Sequence, residues 1–424
     1  MNELPKILIL SNECFSEMSS NGRTLGNFFI GWDKENIAQF FIQNETPDFK
    51  YCNNFFKVTD KDVLKSLALK KLGGKVELKI EENKKINNQL VTSKKIKKNP
   101  LTMIVRNFVW RIGLWKRNGF YNWIKEFNPD IVLLQAGDSP FMYDLAYDIS
   151  KKFKIKLVIY NSEGYYFKNF DYFKSKGLPH LFYPIFIKIL KNNLEKTYKQ
   201  SSYVFYLCDE LKKEYNKIFN EKSTVFYTSS EMLPALKEEK NEEFIISYCG
   251  NLGINRHRSL IEIADTVQKI DSNIFINIYG KAPTEQVKKE LEECKGIKYH
   301  GMVSYEKVQE IMYKSDLLLH VESFDEFYKE DLKFAFSTKI ADSLSCGKSF
   351  LLYAPENLAC TKYIIENKVA HVVTEKDKLY NTLFEIIEDE RFRKKYISNA
   401  LIISEKNHRQ KNNCIKFQKI LKEL

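Results

Sequence analysis

The sequence predicts an α/β protein of two doubly wound, Rossmann-like domains facing a central cleft, followed by C-terminal helices. Three observations carry this. At 424 residues the chain is too long for one ordinary core and fits two domains of roughly 200 residues each. Short apolar runs alternate with segments of helical period, the rhythm of a parallel sheet covered on both faces. The rhythm stops at the polar, proline-containing stretch MLPALKEEKNEE at 232–243 and then restarts.

In the first domain, 1–235, strands are predicted at KILIL (6–10), IAQFFI (37–42), IVLL (131–134), LVIY (157–160) and YVFYL (203–207). Helices are predicted over 22–32, 101–127, 139–153 and 183–200. Residues 70–100, rich in Lys, Asn and Gly, break the alternation and read as an irregular insertion. Residues 236–243 read as the linker. In the second domain, 244–424, strands are predicted at FIISYCG (244–250), FINIYG (275–280), IKYHG (297–301), DLLLHV (316–321), SFLLY (349–353) and AHVV (370–373). The charged segment 389–424 continues as helices, and whether the last one crosses back to the N-terminal domain is left open. Open parallel sheets bind ligands at the carboxyl ends of their strands, beside helix N-termini, so two facing sheets make one cleft.

Hydrophobic residues at 44% and charged residues at 29% describe a globular chain. The opening MNELPKILIL reads as a strand and not a signal peptide, which predicts a cytoplasmic protein. The most apolar stretch, LFYPIFIKIL at 181–190, is too short to span a bilayer and is broken by Pro184 and Lys188. Eight scattered cysteines without a C-x-x-C pair read as reduced core thiols, so no metal and no cofactor are expected.

The net charge of +12 is concentrated. Residues 61–117 hold sixteen Lys/Arg against four Asp/Glu, and the remainder is balanced. One basic segment on a neutral chain argues against a nucleic-acid binder. It suits contact with an anionic membrane surface through 61–117, or equally a solvated insertion. Within it, Lys84 to Arg117 sets Trp110 and Trp115 beside basic residues, in the manner of an interfacial helix.

Three stretches carry phosphate-binding chemistry. After the first strand, Ser20, Asn21, Gly22 and Thr24 open a helix. Gly22 there either lets backbone N–H groups approach a phosphate or sugar, or belongs to an ordinary capped turn. In SYCGNLGINRHRSLIEIA a strand ends at Gly250-Asn251-Leu252-Gly253, a helix begins near Arg258-Ser259, and Arg256 sits at the turn, where its guanidinium suits phosphate oxygens. In FAFSTKIADSLSCGKSFLLYAPEN, Ser337 and Thr338 have N-cap chemistry, and Lys339 in the first turn opposes the helix dipole unless an anion occupies that terminus. Asp342, one turn on, can accept hydrogen bonds from two ribose hydroxyls. Elsewhere, Asp138 in QAGDSPF and Glu163 in YNSEGYYF follow strands of the first domain. They are acceptor-side carboxylates, Asp138 being equally a helix cap. His320 and Glu322 end a strand of the second domain, as donor-sugar contacts or, for the histidine, as a structural residue.

The strand, STK-I-A-D-S-L-S-C-G-K-S, strand arrangement resembles the donor-binding helix of retaining GT-B glycosyltransferases, above all glycosyltransferase family 4. Asp342 takes the place of the family's second glutamate, which binds the nucleotide ribose. The first glutamate falls on Phe334, and Ser-Thr-Lys ahead of the helix matches a branch that carries it instead. The resemblance spans about 245–370, through GNLGINRHRSLIEIA, IYGKAP, HGMVSYEKVQEIM and KSDLLLHVESFDEF. It implies that Arg256 and Lys339 stabilise the leaving diphosphate as catalytic cations, and that Met302-Val303-Ser304 lies against the base. It further implies transfer with retention from a nucleotide-sugar donor, UDP-linked, to a glycan or lipid-linked acceptor. That chemistry would serve cell-surface polysaccharide or glycoconjugate synthesis, in a protein cytoplasmic or peripheral on the inner face of the membrane. The alternatives are a nucleotide-sugar epimerase on the same fold and a non-catalytic partner or binding protein.

Overall fold

The computed structural model describes residues 4–16, 20–68, 73–76, 98–117, 119–235 and 241–424. Much of the predicted basic insertion and residues 236–240 of the predicted linker lie outside them. The chain forms two compact units: Met1–Leu207, Leu211–Val225 and Cys414–Leu424 make unit 1, and Cys208–Glu210 with Phe226–Asn413 make unit 2.

Unit 1 is built on β1 (Ile7–Ser11), β2 (Ile37–Phe41), β3 (Asn54–Lys57), β4 (Gly74–Val76), β5 (Ile131–Gln135), β6 (Lys156–Asn161), β7 (Tyr203–Tyr206) and β8 (Ser223–Val225). Their order is β4-β3-β2-β1-β5-β6-β7-β8. All pairs are parallel except β3 with β4. Every residue of β1 and β2 is buried, as a sheet covered on both faces requires. In the six parallel strands ordered β3-β2-β1-β5-β6-β7 the winding of the chain reverses between β1 and β5, and this reversal is the switch point where open α/β sheets take ligands.

The helix predicted over 101–127 is three pieces: Pro100–Ile112, Leu114–Arg117 and Phe120–Phe127. Asn99 caps the first, its side chain accepting from the Thr102 N–H, with Pro100 at the first helical position. Gly113 ends it against the chain of Val63, whose Cγ1 would lie 2.8 Å from an added Cβ. Gly119, at φ +83°, starts the third from the left-handed region. Trp110 and Trp115, read as interfacial, are core residues at 2% exposure. Trp110 stacks on Phe141 at 4.3 Å and donates to Asp60 Oδ1, and Trp115 stacks on Phe40. Of the basic neighbours that suggested an interface, Arg111 and Arg117 are exposed, whereas Arg106 bonds the same Asp60 Oδ1 as Trp110 and lies over Phe141.

Unit 2 carries β9 (Ile246–Cys249), β10 (Ile276–Tyr279), β11 (Ile297–Gly301), β12 (Leu317–Val321), β13 (Ser349–Tyr353) and β14 (His371–Val373), all parallel, in the order β11-β10-β9-β12-β13-β14. This is again the doubly wound order, with its switch point between β9 and β12. Gly280, after β10, passes so close to the loop after β9 that an added Cβ would overlap the Gly250 carbonyl oxygen.

The helix Gln410–Glu423 is shared, its residues from Cys414 onward belonging to unit 1. Phe417 anchors them. It is buried, stacks on Phe28 at 5.1 Å, and meets Phe29, Trp32 and Phe205. Cys414 Sγ and the Gln418 amide donate to carbonyls of Asn27 and Ile30. Phe417→Ala is expected to cost about 3–5 kcal/mol, seen as a lower denaturant midpoint of tryptophan fluorescence, a signal to which unit 1 contributes Trp32.

Candidate functional site at the carboxyl edge of unit 2

At the switch point of unit 2, the chain leaves β9 through Gly250-Asn251-Leu252-Gly253-Ile254-Asn255 and enters the helix Arg256–Ile270. The helix starts at Arg256 itself, two residues before the predicted start. Leu252 is buried and roots the loop, and the Asn251 side chain accepts from the Gly253 N–H at 2.7 Å. Neither Gly250 nor Gly253 has positive φ. That conformation falls on Ile254 at +59° and Asn255 at +56°, which for a β-branched residue costs of order 1–3 kcal/mol and persists only where the surroundings impose it. One such restraint is the Asn255 amide, which donates to Asp325 Oδ2 at 2.9 Å.

Arg256 crosses the switch point to Glu322, which follows β12. Its Nε and Nη2 both reach Glu322 Oε2, at 2.8 and 2.7 Å. The second carboxylate oxygen pairs with His320 Nε2 at 3.1 Å, and the Glu322 carbonyl accepts from Ser259. All three charged or titratable side chains are largely or fully buried. Burial alone would raise the Glu322 carboxyl, but the His320 hydrogen bond and the Arg256 charge outweigh it and hold it below the usual glutamate range. His320 and Glu322, predicted to touch a donor sugar, are thus brought together with Arg256.

The predicted donor helix is Thr338–Ser345. Ser337 is its N-cap and accepts from the Lys339 N–H at 3.3 Å, and no acidic residue stands in the first turn. Cys249, at the end of β9, places this helix against the same edge. Burial pushes its thiol up to about 12, against the lowering effect of Lys339 and with that of Asp342. Its neighbour Tyr248 responds in the same way to Arg256 and Glu322. Asp342 is buried, and its Oδ1 accepts from Ser230 Oγ at 2.7 Å and from the Tyr305 hydroxyl at 3.4 Å. Tyr305 opens the helix after Met302-Val303-Ser304, where Gly301 at φ +70° turns the chain, Ser304 caps the helix and Val303 is partly buried.

Ser230 and Tyr305 were missed in the sequence, since neither belongs to a local pattern. Ser230 is fixed in turn by His408. The Ser230 N–H donates to the His408 carbonyl, and the buried imidazole bridges the Thr228 carbonyl through Nδ1 at 2.7 Å and the Tyr363 hydroxyl through Nε2 at 2.9 Å. A carbonyl only accepts, so Nδ1 carries the proton and Nε2 accepts from Tyr363. Burial, only partly offset by the Thr228 bond, lowers the His408 pKa to about 4.

In unit 1, Asp138 and Glu163 follow β5 and β6. Asp138 is buried, salt-bridged to Lys98 at 2.7 Å and hydrogen-bonded by Ser139 Oγ. The cap of the next helix is Ser139, whose hydroxyl is taken by Arg106 and Asp138 instead of by a backbone N–H, so Asp138 is not the cap. Glu163 is exposed. Both carboxylates border Tyr165, whose hydroxyl is raised well above its ordinary range by burial first, then by Glu163 and Asp138. Gly22 lies inside the helix Ser20–Gly26 and not in the turn before it. The eight cysteines are free, with Cys249 and Cys294 only partly buried. Among the described residues no group of three or more His, Cys, Asp or Glu is placed to hold a metal ion, and no helix is long and apolar enough to cross a membrane.

No protein-family model and no curated protein sequence matches the chain. Solved structures do. HepE from Anabaena in complex with UDP-glucose is 13% identical over 99% of this chain and 100% of that one, at a TM-score of 0.62. Sucrose-phosphate synthase from Thermosynechococcus elongatus is 9% identical over 98% of each chain, at 0.58. WaaG, a glycosyltransferase involved in lipopolysaccharide biosynthesis, is 13% identical over 98% and 99%, at 0.56. At these identities the likeness establishes the fold, which is GT-B.

Two outcomes follow from the geometry. Glu322→Gln leaves the Arg256 charge buried without its counterion and is expected to destabilise the protein by about 3–5 kcal/mol in urea titration. His408 stays neutral in the fold while its unfolded counterpart protonates below about 6.5. Its depressed folded pKa therefore removes stability as pH falls from about 6.5 towards about 4, at ~1.4 kcal/mol per pH unit. The melting temperature of His408→Gln, measured over this window, should fall less steeply with acid than that of the wild type.

Proposed function

We propose that the protein is a retaining glycosyltransferase of the hexosyltransferase kind. It transfers a sugar from a UDP-linked donor to a glycan or lipid-linked acceptor in the synthesis of a cell-surface polysaccharide or glycoconjugate, at the cytoplasmic face of the membrane. The observation that carries this is the convergence, on the carboxyl ends of β9 and β12, of a helix N-terminus with no acidic residue in its first turn, Lys339 and Arg256. HepE, crystallised with UDP-glucose on the same fold, supports the choice of nucleotide.

Departure of a nucleoside diphosphate places growing negative charge on the β-phosphate, and fixed cations and backbone N–H groups stabilise it most where water is excluded. The start of the helix Thr338–Ser345 supplies N–H groups and a positive dipole end, Lys339 supplies charge, and Arg256 adds the N–H groups that Glu322 does not engage. Glu322 and His320 act through Arg256: with one carboxylate oxygen on the guanidinium and the other on the imidazole, Glu322 is a positioning residue. Asp342, aimed by Ser230 and Tyr305, holds the ribose, and Val303 lies against the base. Gly250, Asn251 and Gly253 let the loop backbone approach the donor. In unit 1, Asp138 and Glu163 are acceptor-side carboxylates, and Gly22 belongs to the same edge. No metal or cofactor is assigned a part.

UDP present at about a hundred times its Kd should stabilise the wild type by about 2.7 kcal/mol, read as a rise in melting temperature. Lys339→Ala and Arg256→Lys, the latter keeping the charge but losing the fork, should each diminish that rise at equal UDP. Incubation with UDP-sugars would then show which donor is consumed only when acceptor is present. Consumption without acceptor would indicate an epimerase, and no response to any nucleotide would refute the donor site.

A further inference from the structure

Just ahead of the helix Thr338–Ser345 the chain carries a lysine, Lys333, that has no ion pair among the described residues. Burial alternates along this segment: Leu332, Phe334 and Phe336 are buried, whereas Lys333, Ala335 and Ser337 are partly exposed. Lys333 therefore shares the outward side with Ser337, the N-cap of the helix. Its ammonium stands 5.2 Å from the centroid of the Phe334 ring, and the π face of a buried ring holds a cation in place. Its backbone is fixed as well, because the Lys333 carbonyl accepts from the Ala359 N–H at 2.9 Å.

The acids at this edge of unit 2 are engaged elsewhere. Glu322 gives its two oxygens to Arg256 and His320. Asp325 accepts from the Phe327 N–H and from the Asn255 amide, and Asp342 accepts from Ser230 and Tyr305. Glu330 and Asp331 stand on the preceding helix, Glu326–Leu332. From Leu332 to Ala341 the sequence LKFAFSTKIA holds two lysines, Lys333 and Lys339, and no acid.

A nucleotide sugar is a linear ligand. With its ribose on Asp342 and its diphosphate at Ser337 and Lys339, a placement that rests on the proposed function, its sugar projects towards the residues ahead of the cap. A neutral sugar presents hydroxyls, for which carboxylates are the strongest acceptors, and this segment has none to offer. A sugar carboxylate calls for ammonium donors instead, and such charge-assisted bonds are roughly twice as strong as neutral ones. Like charges repel, so a carboxylate next to the diphosphate needs a cation beyond Arg256 and Lys339. We propose that the donor sugar is a hexuronic acid whose C6 carboxylate is bonded by Lys333. Lys333 is then the residue that selects the donor, and Phe334, beneath its ammonium, is a positioning residue.

The test is calorimetric titration of the full chain with UDP and with two matched pairs of donors, UDP-glucuronate against UDP-glucose and UDP-galacturonate against UDP-galactose. Within each pair only the group at C6 differs. In the wild type at least one uronate is expected to bind about tenfold or more tighter than its neutral partner, with the preference narrowed by salt because Lys333 is partly exposed. Lys333→Met should abolish the preference while UDP, UDP-glucose and UDP-galactose bind as they do to the wild type and the melting temperature holds. Lys333→Arg, which keeps the charge, should retain most of it. Two results overturn the proposal: neither uronate preferred in a wild type that binds UDP, or a preference that survives in Lys333→Met. No binding of UDP itself refutes the donor site of the proposed function, and the uronate with it.

Discussion

One buried ion pair organises the carboxyl edge of unit 2. Arg256 opens the helix that follows β9, and Glu322 is the first residue after β12; the sheet reverses its winding between these two strands, and the two side chains meet across that gap. Removing two charges from water is costly, and a pair of this kind is kept in place by further hydrogen bonds to its carboxylate. Here His320 and Arg256 divide the two oxygens of Glu322 between them. The left-handed Ile254 and Asn255 follow from the same constraint: the chain must turn sharply after Leu252 for the helix to begin on Arg256.

A second chain of contacts runs at right angles to the first in logic. Asp342 is oriented by Ser230 and Tyr305, Ser230 is held by the backbone of His408, and His408 is locked in one tautomer by Thr228 and Tyr363. A carboxylate left to itself in a helix would swing towards water, whereas this one is buried with a fixed direction. The imidazole acts structurally, and its neutrality is the condition for the arrangement.

Strands buried on both faces were legible because each is a nearly unbroken apolar run, as in ILILS, IVLLQ and SFLLY. The strands that escaped notice, Asn54–Lys57, Gly74–Val76 and Ser223–Val225, hold two apolar residues or fewer and lie towards the sheet edges. Helical period places Trp110 with Met103 and Asn107 on the inward face, but adjacency to Arg111 in the sequence obscured it. The Ser337-Thr338-Lys339-Asp342 stretch was readable because its chemistry is local. The Arg256–Glu322 pair joins residues 66 apart, and Ser230 with Asp342 joins residues 112 apart, separations that no spacing rule covers.

The course of the chain bears on its synthesis. Phe417 fills a gap among Phe28, Phe29, Trp32 and Phe205, yet it is translated after every strand of both sheets. A domain made early on the ribosome ordinarily completes its fold while the next is still emerging. Unit 1 lacks that freedom: its aromatic core stays open through translation of all of unit 2, and the first domain to be made is the last to be finished.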